Sequence, residues 1–190
     1  MSGTTGEAAV ARGRDLVSLF HPDAASFGSL GLAAPESVPE AARQLLDHRS
    51  HMTVAMERWH GPVRLRVVDR GEDSAGRYAR EILLLAADGR VVQHGIVRID
   101  LRRLAAEIAA AIRGESIPLG RILIDAGLLR DVHDVALLEI HPGPHLRRLF
   151  GTGTMTHGRV ATIDLDGVPA VELLEIIASG SLSSPGGGAG

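Results

Sequence analysis

The stretch Arg77–Asp100, RYAREILLLAADGRVVQHGIVRID, carries the reading of the fold. Two apolar runs flank Asp88-Gly89. Asp-Gly in that setting signals a tight β-hairpin, because both central residues of a type I′ turn need φ > 0. The first arm, Ile82-Leu83-Leu84-Leu85, hardly alternates, so burial on both faces is expected. Arg80 stands just before this run as a permanent cation at the entrance to a buried strand. A buried guanidinium requires an anionic partner, since leaving it unpaired costs several kcal/mol. That partner is either a carboxylate of the chain, with Glu81 and Asp69 in reach, or a carboxylate on a ligand.

Outward from the hairpin, Gly71–Gly76 reads as a loop and Val63–Arg70 as a half-exposed strand, with Val63, Leu65 and Val67 alternating against Arg64 and Arg66. Gly61-Pro62 turns the chain, and Met52–His60 reads as a further strand. Pro39–Asp47 is a short helix with Pro at its start, Asp23–Pro39 a loop, and Gly6–Phe20 a helix closed by His21-Pro22. Downstream, Leu101, Leu104, Ala105, Ile108 and Ile112 stand at helical spacing before Gly114, and IPLGRILIDAG is a second helix ending at Gly127. Leu129–Ile140 contains a strand, a turn of helix follows the prolines up to Phe150, and His157–Leu165 with Val168–Ala178 flank a second Asp-Gly at 166–167. Hairpins dominate and strand–helix alternation is absent. That order predicts an α+β fold, an antiparallel sheet with helices packed on it. One domain over 1–178 is expected, its core at 45–178, with a disordered Gly/Ser-rich tail at 179–190.

Composition narrows the chemistry. The chain has no cysteine, and none of its 20 Lys+Arg residues is lysine. Thiol nucleophiles, zinc–thiolate sites, lysine Schiff bases and a P-loop are therefore excluded. Arginine is left to grip anions, which it does through paired hydrogen bonds to carboxylates. A formal charge of −3 argues against a nucleic-acid partner. No apolar run has the length of a membrane span and the N-terminus lacks a secretory pattern, so a cytoplasmic protein with no membrane partner is expected. His48/His51 and His141/His145 are spaced for a helix, but Pro142 and Pro144 interrupt the second pair and no zinc-enzyme signature accompanies them. No metal is expected. Gly151-Thr152-Gly153 lacks a βαβ context, and no Gly-x-Ser-x-Gly elbow occurs.

The hairpin, followed after one helix by PLGRILIDAGLLRD and preceded by HMTVAMERWHGPVRLRVVDR, resembles the chorismate pyruvate-lyase superfamily, particularly the bacterial branch that includes mycobacterial 4-hydroxybenzoate-forming lyases. The likeness runs from about Leu45 to Ala178. It implies an approximately six-stranded antiparallel sheet with flanking helices. It also implies elimination of pyruvate from chorismate to give 4-hydroxybenzoate, with no metal or organic cofactor. On this resemblance Arg80 matches the arginine that grips the ring carboxylate, Met52 a pocket methionine, and Leu119 and Gly120 the Pro-Leu-Gly contact. The glutamate near the ring hydroxyl matches Glu172 or Glu175, which are three apart and so face opposite sides of a regular strand; Glu175 is favoured. Where the ubiquinone-pathway enzyme has an arginine after the glycine of the second hairpin arm, this chain has Ile96, and Arg98 is the candidate replacement.

Each residue also has a plainer account. Met52 and Leu119 suit an apolar core, and Arg121 a surface charge. One of the two glutamates is expected at an exposed edge and the other, if buried, as a general acid. Two further functions stay open: a non-catalytic sensor of a small aromatic or carboxylic acid on the same fold, and a lyase acting on a modified chorismate or yielding another isomer. Oligomeric state is left open.

Overall fold

In the computed structural model, residues 2–128 and 130–182 are described. Helix α1 (Ser2–Ser18) and the single turn α2 (Ala24–Phe27) lead into strand β1 (Gly28–Leu32). Helices α3 (Glu40–Leu46) and α4 (Met52–His60) follow, then strands β2 (Arg64–Glu72), β3 (Tyr78–Leu85) and β4 (Val91–Ile99). Next come α5 (Ala106–Arg113), α6 (Leu119–Asp125), β5 (Arg130–Pro142), α7 (Pro144–Phe150), β6 (Thr156–Leu165) and β7 (Val168–Ile177). The strands form one antiparallel sheet in the order β1-β5-β6-β7-β4-β3-β2. This is the expected α+β architecture, with seven strands in place of about six.

Helices cover both faces of the sheet, which explains the unbroken apolar run in β3. On one face, Leu16 and Val17 of α1, Phe27 of α2 and Leu146 of α7 pack on Ile96, Leu138, Val160, Leu174 and Ile176. On the other lie two clusters. One seats Leu45, Leu46, Met52 and Met56 of α3 and α4 on Leu84, Leu137 and Ile177. The other seats Ile112 of α5 with Ile122 and Leu123 of α6 on Val97, Ile163 and Leu173. A side chain therefore belongs to one helical layer or the other according to its parity along the strand.

Two segments differ from the sequence reading. Met52–His60 is helix α4 rather than a strand: Met52, Thr53 and Met56 are buried, positions i, i+1 and i+4 that share one side of a helix but would fall on opposite faces of a strand. Asp23–Pro39 is no simple loop; Gly28–Leu32 pairs with β5 along Leu138–Pro142. Its strand character comes from that partner, since GSLGL has little of its own.

The hairpins also differ from each other. At the second, Asp166 (φ 51°) and Gly167 (φ 80°) both lie in the left-handed region, as a two-residue type I′ turn demands. At the first, Gly89 (φ 84°) alone does so; Gly89 N–H donates to Ala86 O and Ala86 N–H to Arg90 O, a longer loop with a register shift at Leu84/Leu85. Leu129 and residues 183–190 of the expected tail lie outside the described residues. No described helix is long and apolar enough to cross a membrane.

Where α2, β1 and α7 meet, Gly143 touches main chain: a Cβ there would lie 2.6 Å from Ala25 O and 2.7 Å from Gly28 N. Because backbone cannot give way as a side chain does, Gly143→Ala should destabilise the fold by about 1–3 kcal/mol. Thermal denaturation should show the midpoint falling by roughly 2–12 °C.

Candidate functional site

The two apolar clusters on the α3–α6 face leave a cavity between them. Strand parity decides what reaches it: Leu65 from β2, Arg80, Ile82 and Leu84 from β3, Gln93, Gly95 and Val97 from β4, Leu173 and Glu175 from β7, and Arg159 and Ile163 from β6. The register places these in cross-strand rows, Arg80 opposite Val97, Gly95 opposite Glu175, and Glu175 opposite Arg159. The cover is the loop Ser50-His51, the first turn of α4 at Met52 and Thr53, and Pro118, Leu119 and Gly120 at the start of α6. Gly120 permits this approach, since a Cβ there would sit 3.1 Å from His51 Cβ. The centre of a water molecule can range over about 60 Å³ inside, space for a compact molecule and not for a polymer.

Two buried guanidinium groups share the cavity and differ in their surroundings. Arg159, 1% exposed, donates from Nε to Glu175 Oε2 at 2.7 Å. Its other nitrogens donate to His48 O (2.8 Å), Leu46 O (3.2 Å) and Ser50 O (3.3 Å). It thus ties the cover loop to the sheet. Burial and the neighbouring Arg159 cation push the His48 imidazole below its ordinary range, so it is neutral at pH 7.

Arg80 is equally buried, at 1% exposed, but its nearest hydrogen bond is a 3.2 Å contact from a terminal nitrogen to Ile112 O at the end of α5. Its Nε has no partner among the described residues, and none of their carboxylates comes within 4 Å. Glu81 points to the opposite face of the sheet, where histidines hold it, and Asp69 is exposed on β2. Glu115 acts on Arg80 only through space. It accepts from Tyr78 Oη at 2.7 Å and pairs with Arg70. Burial pushes Arg80 below the usual arginine range despite the opposing pull of Tyr78 and Glu115. Burial and the Glu115 hydrogen bond in turn raise the Tyr78 phenol to about 12. Gln93, 2% exposed, also lines the cavity and has no partner for Oε1 among the described residues. The cavity is therefore apolar, with an unneutralised cation and a free amide oxygen in its wall.

Of the residues singled out in the sequence, Arg80, Met52, Leu119, Gly120 and Glu175 meet around this cavity. Arg98 and Glu172 do not. They lie on the α1 face, where Arg98 bonds Glu172 at 2.8 Å and Asp15 of α1 at 2.8 Å, and Arg77 joins the same Glu172 at 3.0 Å. Burial disfavours the Arg98 cation, but Glu172 and Asp15 outweigh it and hold the group more firmly protonated than usual. The physical reason is parity: Ile96 and Arg98 share a face, and that face is turned toward α1. Arg121 pairs with Glu57 at 2.5 Å, joining α6 to α4 outside the cavity. The Glu175 carboxylate is not alone in the cavity wall, since it accepts from Arg159 Nε at 2.7 Å. Arg159 and Gln93 were not anticipated. A lone arginine in the apolar strand THGRVATIDL carries the same signal as Arg80 and was legible on that ground.

No family model and no curated protein matches the chain. Distant likenesses to solved structures exist. The C-terminal domain of a histidine utilization repressor from Pseudomonas syringae has a TM-score of 0.48 at 12% identity, covering 62% of this chain and 92% of that one. The ligand-binding domain of a GntR-family transcriptional regulator from Bordetella bronchiseptica scores 0.46 at 14% identity, covering 63% and 86%. A possible transcriptional regulator from Bacillus subtilis, YydK, scores 0.43 at 12% identity, and the match covers 60% of this chain and 57% of that regulator's length. All lie below 0.5, too distant to carry an assignment.

The two arginines should respond oppositely to replacement by methionine. Arg159→Met leaves Glu175 without its counter-charge and frees the loop carbonyls, so a loss of about 3–5 kcal/mol is expected. Arg80→Met removes a buried cation that has no internal anion within 4 Å, so stability should hold or rise. Urea unfolding of both variants checks the contrast.

Proposed function

We propose that the cavity binds a small carboxylate ligand, and that the chain is a pyruvate lyase acting on chorismate to release 4-hydroxybenzoate. The observation that carries the reading is Arg80: a buried guanidinium beside an apolar cavity, with an unpartnered Nε and no internal anion within 4 Å. A ligand carboxylate supplies what that group lacks, and the paired geometry of carboxylate and guanidinium fixes the ligand's orientation.

Chorismate suits such a site chemically. It carries a carboxylate on its ring and another on the enolpyruvyl ether. In the reaction, the ring carbon bearing the hydroxyl loses its proton and the adjacent carbon–oxygen bond to the enolpyruvyl group breaks. That bond's electron pair leaves with the oxygen, the enolpyruvate methylene gains a proton, and pyruvate and an aromatic ring result. Aromatisation drives the step, so the protein's part is positioning and charge stabilisation in a site closed to water. Arg80 takes the ring carboxylate. Glu175, oriented by Arg159, lies across the cavity to engage the ring hydroxyl. The apolar wall from Ile82, Val97 and Leu173 receives the ring. The second carboxylate cannot reach Arg98, which the sheet separates from the cavity; the first turn of α4, which no side chain caps, is the polar surface left for it.

Incubating the purified chain with chorismate should give pyruvate and 4-hydroxybenzoate in equal amounts, followed by chromatography. Arg80→Met should lower turnover by at least ~10²–10³-fold with the fold retained. Binding of chorismate or 4-hydroxybenzoate without conversion assigns the cavity to a sensor instead, a role in keeping with the name of the Bordetella domain. A different hydroxybenzoate keeps the lyase and changes the substrate's seating.

A further inference from the structure

Behind Arg80, on the α1 face of the sheet, its neighbour Glu81 stands at the centre of a histidine cluster unconnected with the cavity. His21 follows α1, His94 is on β4 and His145 opens α7. Their Nε2 atoms lie 3.1, 2.6 and 2.8 Å from the same oxygen, Glu81 Oε1. Phe27 walls the group, its ring centroid 5.1 Å from that of His21 and 5.5 Å from that of His94. Glu81 is 1% exposed and His94 fully buried, whereas His21 (11%) and His145 (17%) reach the surface. Beside His21 runs an open groove lined by Arg14, Pro22, Pro144 and Arg147.

Hydrogen bonding alone accounts poorly for this arrangement. A carboxylate oxygen offers about two lone-pair directions, yet three imidazole nitrogens converge on one of them. The ligand atoms of His21, Glu81 and His145 lie within 4.8 Å of one another. That spread is close to the span of ligands around one ion at bonds of about 2.0–2.1 Å. Two imidazole nitrogens with one carboxylate oxygen are a donor set suited to borderline divalent metals.

We propose that His21, His145 and Glu81 bind one divalent transition-metal ion of the zinc class, with its remaining coordination position toward the groove and His94 holding the carboxylate from the buried side. Such a carboxylate is ordinarily fixed by a further hydrogen bond, the part His94 plays at 2.6 Å. The ion would pin the end of α1 and the start of α7 to β3. Its place across the sheet from the cavity makes it separable from the elimination reaction.

The test uses the full chain, stripped with a chelator and titrated with ZnCl₂ by calorimetry, with Co²⁺ in parallel as a spectroscopic probe. One zinc ion per chain, a raised melting temperature, and visible Co²⁺ absorption of low-symmetry nitrogen–oxygen coordination are expected. His21→Ala and His145→Ala, both at partly exposed positions, should each weaken zinc at least ~10-fold, and together should abolish the melting shift. His133→Ala, at a histidine outside the groove that pairs with Asp164, should leave binding unchanged. Absence of stoichiometric zinc in the unsubstituted chain, or unchanged affinity in a double variant whose metal-free circular dichroism is intact, would overturn the proposal. Neither result bears on chorismate turnover, so the two readings fail independently.

Discussion

A guanidinium held under a helical roof without an internal counter-ion is the constraint around which this molecule is arranged. Arg80 projects from β3 into the layer closed by α4 and α6, and burial disfavours its charge. Removing a cation from water carries a penalty of several kcal/mol that only an anion in good geometry offsets. The fold meets that requirement for Arg159, through Glu175 and a set of loop carbonyls. It leaves it unmet for Arg80. Stability is forgone at one position where β6 of the same sheet shows how it could have been secured, a pattern that belongs to sites shaped for a ligand.

The sheet acts as a partition. Since helices cover both faces, adjacent residues serve separate environments: Arg80 faces the cavity and Glu81 the histidine cluster, and Glu175 meets Arg159 while Glu172 meets Arg98 and Arg77. One register therefore sorts the chain's charges into the cavity on one side and ties to α1 and α7 on the other. A slip by one residue would exchange the two sets, which makes register the feature that both proposed sites share.

Much of this is legible in the sequence. Asp-Gly pairs mark both hairpins, and the near-continuous apolar arm Ile82–Leu85 announces burial on two faces. Arg80 stands out because a permanent cation beside such a run demands an explanation. The separation of Glu172 from Glu175 follows from strand alternation alone. Other elements were hidden. β1 draws its extended form from the edge of β5, and α4 mixes the helix formers Ala55, Met56, Glu57 and Arg58 with Thr53, Val54 and Trp59, so that its buried face appears only once Met52 and Met56 meet α3. Alternation puts Arg98 on the same face as Ile96, but which helical layer that face meets is set by the packing of α1, not by the strand.

What the sequence by itself determined is the local and the alternating: hairpin positions, helix stops at glycine, the pool of arginines available to bind anions, and which residues share a strand face. Tertiary structure decided which face became the cavity, that Arg159 rather than Arg98 stands beside Glu175, and that His21, Glu81, His94 and His145 converge on one point. The physical reason is range. Periodicity and turn chemistry act over a few residues, whereas the side of a sheet a helix covers, and the meeting of groups about 60 residues apart, depend on how the layers close.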